Sequence, residues 1–428
     1  MEHGITHEIT LLIFQLAFIL LIARISGELF EKYLKQPAVL GELVAGMLFG
    51  PYLLGAHLGI PGFGPLFPEP ASGTLEVAAH IPVPLPLYAF GQIASIVLLF
   101  MAGLETNLSS FLRFAGKAGV VGAAGIVLPF VSGALVTVWF GHAQGFFEGH
   151  ALFMGAILAA TSVGITARVL SEIRKLDTPE GMTILGAAVV DDVLGILVLA
   201  IVVNLVESGS IDLPSIGWTA FKALGIWIGL TAFFVYTAPW LTRLWSWFRT
   251  PGSALVLTLA ACLLAAAVCE MVGLALIIGA YVVGLAFSNT PIASKLIEEL
   301  RGVYHVFVPV FFVLLGMLVD FGAMKHALLF GAVISAVAIL GKVLGCGASS
   351  LACGFNRIGA ARIGLGMIPR GEVALIIAGY GLTRGVVDHE MFGVAILMTM
   401  VTTFLAPVLL VPAFRWSGTG LRLKGHAN

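Results

Sequence analysis

Apolar runs of about 17–28 residues recur along the entire 428-residue chain, and each is long enough for a helix to cross the hydrocarbon core of a bilayer. Charge is correspondingly scarce. Only 11% of residues are Asp, Glu, Lys or Arg and 59% are hydrophobic, against about 25% charged in an ordinary soluble domain. A water-soluble fold of this length has no way to hide so much apolar surface, so lipid must cover it. The sequence predicts an all-α integral membrane protein with a single transmembrane domain over 1–428. A net charge of −1 offers no basic excess for nucleic acid. The segment Met1–His7 lacks a basic flank and no small-residue cleavage pattern follows, which predicts a retained first helix and not a signal peptide. Cys262, Cys269, Cys346 and Cys353 lie in or beside apolar runs without a CxxC pattern and read as buried free thiols.

Thirteen spans are expected, at about 8–28, 38–53, 86–104, 118–140, 150–170, 182–206, 217–240, 252–268, 272–288, 303–320, 327–352, 362–383 and 391–413. The basic residues test this count. With the N-terminus outside, the inside connections collect Lys32, Lys35, Arg113, Lys117, Arg174, Lys175, Arg243, Arg249, Lys295, Arg301, Arg357 and Arg362, and the cytoplasmic tail adds Arg415, Arg422 and Lys424. The outside connections hold Lys325 and Arg384, with Lys222 near an outer helix end. That asymmetry is what the positive-inside rule requires, and a miscount by one span would scramble it. The longest connection, about 54–85, has no Lys or Arg, is rich in proline and glycine from Pro61 to Pro70, and reads as an external loop. His57, His80, His142, His150 and His389 fall in external connections and form no ligand cluster. No dinucleotide fingerprint or Walker loop is present, so ATP-driven transport has no support.

Ionisable groups within a span cost about 2.5–3.5 kcal/mol each on insertion scales and default to functional candidates. Glu42, Asp191, Asp192, Lys342, Arg370 and Glu372 lie mid-span, with Glu105 and Arg168 nearer the ends. Asp191 and Asp192 are adjacent, so their side chains point about 100° apart on a helix. One can face an aqueous cavity while the other meets a neighbouring helix. Burial and mutual repulsion favour the protonated carboxyl, so a proton and a cation compete for the same oxygens, the minimum chemistry of an antiporter. The competing role is that the acids only join helices. Lys342 is the deepest lysine, and a lone ammonium there must lose its proton or find a carboxylate. Asp191 or Asp192 is the natural partner, in a switch or in a static ion pair.

Helix breaks are the third signal. Span five carries Thr161, Ser162, Gly164 and Thr166, and span twelve carries Pro369, Arg370, Gly371 and Glu372. Proline removes a backbone donor and glycine permits unwinding. Non-helical backbone at this depth is tolerated where it lines a cavity or is buried in protein, and paired discontinuous helices point to a transporter's binding site. The breaks lie seven spans apart, so the two helices run oppositely, as inverted repeats require. Freed carbonyls and the hydroxyls of Thr161 and Ser162 suit a hard cation. Arg370 and Glu372 can offset half-helix dipoles. Gly46 and Gly50, four apart in span two, allow close helix approach or dimerisation.

These stretches resemble the bacterial sodium/proton antiporters of the cation/proton antiporter superfamily, most closely the NapA type. The resemblance runs through QPAVLGELVAGMLFGP, FMAGLETNL, ATSVGITARVL, GAAVVDDVLGILVLA, FFVLLGM, AILGKVLG and PRGEVALI, in order over nearly the whole chain. It implies a homodimer with a dimerisation domain (about 8–53 and 217–288) and a mobile core (about 86–206 and 303–413), in which the two broken helices cross and transport is elevator-like. It implies Asp192 as the principal cation- and proton-binding acid, sodium held there, Asp191 as the partner of Lys342, and Thr161 and Ser162 as the unwound hydroxyl segment. Electroneutral relatives carry Asn-Asp at the acid pair, and glutathione-gated potassium efflux relatives carry Gln-Asp, so Asp191-Asp192 implies electrogenic exchange, two protons for one sodium. The insertion at 54–85 departs from the family pattern. An inner-membrane transporter is therefore expected, not an enzyme, with no cofactor and with sodium, lithium or potassium and protons as its cargo. A potassium/proton antiporter is the nearest rival. A sodium-coupled symporter for an organic anion is the rival of another class, and a buried lysine beside two acids argues against it.

Overall fold

A backbone in lipid must satisfy its own N–H and C=O groups, which helices do within one segment. The computed structural model describes residues 2–68, 83–208, 213–245, 247–248, 250–324 and 328–422. Its helices are α1 (Glu2–Leu29, continued by a π-helical turn Phe30–Leu34), α2 (Ala38–Phe49), α3 (Leu85–Leu104), α4 (Leu108–Trp139), α5 (Gly149–Ala159), α6 (Val163–Glu172), α7 (Pro179–Ser208), α8 (Leu213–Trp245), α9 (Ser253–Met271), α10 (Leu276–Phe287), α11 (Ala293–Met317), α12 (Phe321–Met324), α13 (Leu328–Ala352), α14 (Arg357–Gly366), α15 (Glu372–Thr383) and α16 (His389–Arg415). Most of the predicted external insertion, residues 69–82 with Pro70 and His80, lies outside the described residues, as do Arg249, Lys325 and Lys424.

Among the described residues, ten helical segments are long and apolar enough to cross a membrane, with α5 and α6 together forming one of them. Length and composition thus support ten spans where thirteen were expected. Three shorter apolar helices, Ala38–Phe49, Leu276–Phe287 and Glu372–Leu382, stand at the expected second, ninth and twelfth positions. Each is curtailed by its surroundings. Pro37 precedes α2 and extended Gly50 ends it; left-handed Gly273 lies just ahead of α10; and non-helical residues 367–371 precede α15. Twelve residues rise only about 18 Å at about 1.5 Å each.

The helices pack in two groups. In one, α4 lies against α5, α7 and α13, while α13 also meets α14 and α16, and α15 meets α5 and α16. In the other, α11 packs on α1, α2 and α3, and α10 on α3, α8 and α9. Glycine lets backbones touch in this second group. A Cβ at Gly46 would lie 2.0 Å from the Val313 carbonyl oxygen, and one at Gly316 would lie 2.2 Å from that of Leu43. Gly46 therefore serves a close approach of α2 to α11 within the chain. Before the undescribed insertion, β1 (Gly59–Ile60) pairs antiparallel with β2 (Gly64–Pro65), and Gln15 Nε2 donates to the Leu66 carbonyl at 2.7 Å. All four cysteines are free, with Cys353 half-buried and the others buried.

Arg362, expected in an inside connection, lies within α14 and is 6% exposed. Its Nη1 lies 2.6 Å from Glu180 Oε1 at the start of α7, its Nε donates to the Ala413 carbonyl (3.0 Å), and its Nη2 donates to that of Trp416 (2.8 Å). The tail is tied alongside: Asn356 Nδ2 donates to the Thr419 carbonyl at 2.6 Å and Asn356 N to that of Gly420 at 2.8 Å. A charge count in loops has no access to this fold-back, which satisfies every arm of the guanidinium. Arg362→Met would strand the Glu180 carboxylate, a change worth about 3–5 kcal/mol for a broken buried pair. Thermal unfolding of the purified protein should show a clear fall in midpoint; an unchanged midpoint would refute the role.

Candidate functional site

Two non-helical stretches meet near the middle of the first packing group. Residues 160–162 separate α5 from α6, and residues 367–371 separate α14 from α15. Ser162 N donates to the Pro369 carbonyl at 2.8 Å, and Thr166 Oγ1 donates to that of Gly366 at 2.7 Å. A Cβ at Gly371 would lie 2.7 Å from Ser162 Oγ, so the crossing needs glycine there. Gly164 lies beyond the gap, inside α6, and a Cβ there would meet neighbours at 3.5 Å, ordinary contact; the gap does not depend on it.

The second stretch is closed by a side chain. Arg370 is fully buried, and its Nη1 donates to the carbonyls of Met367 (3.3 Å) and Ile368 (3.0 Å) while Nη2 donates to that of Ala338 (3.3 Å). Thr403 Oγ1 donates to the Arg370 carbonyl. Carbonyls freed by the missing helical turn are thus taken up within the protein, as an apolar setting demands. Pro369 supplies the carbonyl that Ser162 uses.

Asp191 and Asp192 sit on α7. Lys342 on α13 reaches across, and its Nζ lies 2.7 Å from Asp191 Oδ1, with both side chains at most 1% exposed. Gly125 on α4 makes room: a Cβ there would fall 2.6 Å from Cys346 Sγ and 3.6 Å from Lys342 Nζ. Asp192 is 7% exposed. Among the described residues, the buried atoms Asp191 Oδ2, Asp192 Oδ2, Thr161 Oγ1, Ser162 Oγ and Glu372 Oε2 have no hydrogen-bond partner.

A cavity of about 580 Å³ reaches the acid pair. Asp191, Asp192 and Ala160 line it together with Glu372 at the start of α15, Tyr88 and Gln92 on α3, and Glu270 on α9. Thr161, Ser162, Pro369, Arg370 and Lys342 lie outside its lining. Tyr88 and Glu270 stand near helix ends and Gln92 one turn beyond Tyr88, and nothing in a hydropathy pattern distinguishes a cavity wall from an interface there. A second cavity, of about 420 Å³, opens at the other end of α3, beside Met101, Glu105, Glu42 and Arg168, and touches neither aspartate. No three His, Cys, Asp or Glu side chains among the described residues group as a resident metal site would.

The chain matches the family model described as sodium/hydrogen exchanger, transmembrane, over residues 17–416. It is 34% identical to the high-affinity Na(+)/H(+) antiporter NhaS3 of Synechocystis, an alignment covering 92% of this chain and 87% of the relative. It is 33% identical to the Na(+)/H(+)-K(+) antiporter GerN of Bacillus cereus, covering 94% and 96%. The fold is similar to that of the sodium proton antiporter MjNhaP1 from Methanocaldococcus jannaschii, with a TM-score of 0.67 at 17% identity over 95% of this chain and 99% of that one.

The buried pair makes a double-mutant test. Lys342→Gln leaves Asp191 uncompensated, a loss of about 3–5 kcal/mol, while adding Asp191→Asn removes the stranded charge. The single variant should melt well below the parent and the double variant should recover most of the difference. Equal melting of the single variant and the parent would show that the pair carries no stability.

Proposed function

Since this chain belongs to the sodium/hydrogen exchanger family, we propose that it is a secondary sodium/proton antiporter of the NapA type in which Asp192 carries either the cation or the proton. The observation that carries this reading is the unpaired Asp192 carboxylate in a cavity beside an Asp191 already held by Lys342. Around it, four carboxylates (Asp191, Asp192, Glu270, Glu372) stand against two cationic side chains (Lys342, Arg370), so the site is negative when all are ionised. At Asp192 one monovalent cation or one proton offsets the carboxylate, and the two exclude each other. Thr161 and Ser162 wait behind the cavity wall with free hydroxyl oxygens and enter the cation's shell as it settles. When the cation also draws on Asp191, Lys342 is released and can give up its own proton. Two protons then exchange against one sodium, and transport is electrogenic.

Access alternates by a sliding of the group built on α4–α7 and α13–α16 against α1–α3 and α8–α11, the latter also pairing two copies of the chain. We draw this boundary on the helix packing, with α3 and α11 in the scaffold, whereas the sequence reading groups them with the core. The crossed stretches at 160–162 and 367–371 are the broken helices of spans five and twelve in this scheme. With the N-terminus outside, the cavity at Asp192 faces outward and the one at Arg168 faces the cytoplasm of an inner membrane. Potassium stands as a second cargo because GerN, which aligns over nearly its whole length, is named for both ions.

Proteoliposomes with an imposed proton gradient test this. The parent should exchange sodium and lithium for protons, and faster with a membrane potential that draws charge in the coupled direction. Asp192→Asn should reduce exchange by at least about 100-fold, to background. Parental rates from Asp192→Asn would sink the assignment, and equal rates in potassium would widen the cargo.

A further inference from the structure

Arg168 bridges the two packing groups at the end of the molecule opposite the acid-pair cavity. It lies on α6, and its Nη2 approaches Glu42 Oε1 on α2 at 3.5 Å while its Nε lies 2.6 Å from Glu172 Oε1 one turn along its own helix. Its guanidinium also sits over the Tyr304 ring on α11, 5.2 Å from the centroid. Arg168 and Glu42 side chains are only 8% and 5% exposed, and Glu42 Oε2 has no hydrogen-bond partner among the described residues. The second cavity ends on this cluster. The three partners differ in one respect. Glu172 travels with Arg168 on one helix, whereas Glu42 and Tyr304 belong to the other group, on helices locked together through Gly46 and Gly316.

We propose that Arg168 is an electrostatic latch that holds the cytoplasmic side shut, gripping Glu42 and Tyr304 in the outward-facing arrangement and falling back on Glu172 alone when the groups slide. This rests on the antiporter reading above. The physical reason is asymmetry of compensation. A buried guanidinium that lost every partner would be prohibitively costly, so a lone Arg168–Glu42 bridge would freeze the interface. Glu172 keeps the charge paired through the movement and reduces the latch to the difference between two carboxylates and one. Such a difference biases a two-state equilibrium without abolishing either state.

The test measures the apparent KM for sodium at each membrane face, in right-side-out and inverted vesicles carrying the full chain. Glu42→Gln is the decisive variant, because Arg168 stays paired with Glu172 and folding is preserved; Arg168→Gln is the companion. Loosening the latch shifts the population inward. The cytoplasmic KM should fall and the external KM should rise, each roughly three- to tenfold, which corresponds to about 0.7–1.4 kcal/mol. A purely structural role would lower the maximal rate and leave the two KM values unmoved. Unmoved KM values in Glu42→Gln, or values shifting together in one direction, overturn the latch while the parent still exchanges. A parent protein that fails to couple sodium to protons overturns the antiporter reading instead.

Discussion

The contact between Lys342 and Asp191 sets the terms for everything near it. Two opposite charges are held 2.7 Å apart with almost no exposure, and neither would be tolerable without the other. The pair fixes α13 against α7 and occupies one carboxylate of two adjacent ones. Asp192 is thereby left as the acid of the two that no cationic side chain holds, with the cavity before it. Gly125 on α4 completes the arrangement, since any larger residue would push into Cys346 beside the lysine.

Much of this was legible in the residues. Charges surrounded by apolar sequence stand out because lipid and protein interiors penalise them alike, so Asp191, Asp192, Lys342, Arg370 and Glu372 could be picked without coordinates. Proline and glycine flagged the stretch at 367–371 for the same local reason. The polar run at 160–162 stands out for its hydroxyls, with Gly164 just beyond it inside α6; the close approach between the two stretches is made from the opposite side, at Gly371. What remained hidden depends on pairing across the fold. Glu180 meets Arg362 from 182 residues away, and no local pattern marks either as buried. Tyr88, Gln92 and Glu270 become cavity walls only once α3 and α9 are placed.

Glycine brings backbones together in both packing groups, and buried charge adds to it in the first. The α2–α11 and α3–α10 contacts are backbone against backbone, with glycines at Gly46, Gly316, Gly103 and Gly284 admitting carbonyl oxygens that a Cβ would strike. Such contacts are rigid because they have no side chains to re-pack. The group around α4 is joined by polar and charged bonds as well as by packing, from Lys342–Asp191 to the clasp of Arg362. Between the groups the linking interactions are sparser, and Arg168–Glu42 is a charged one among them.

Arg370 leaves an unexpected signature on the ligand supply. A bent backbone at membrane depth ordinarily advertises bare carbonyl oxygens, the material of rigid selectivity rings. Here the carbonyls of Met367, Ile368, Pro369 and Arg370 are all already claimed, by the guanidinium, by Ser162 N and by Thr403. Each of these four carbonyls already has a donor. In the proposed mechanism the ion is therefore met by side-chain oxygens, the carboxylates and the hydroxyls of Thr161 and Ser162, a shell with no fixed diameter that ranks visitors by how much hydration they surrender.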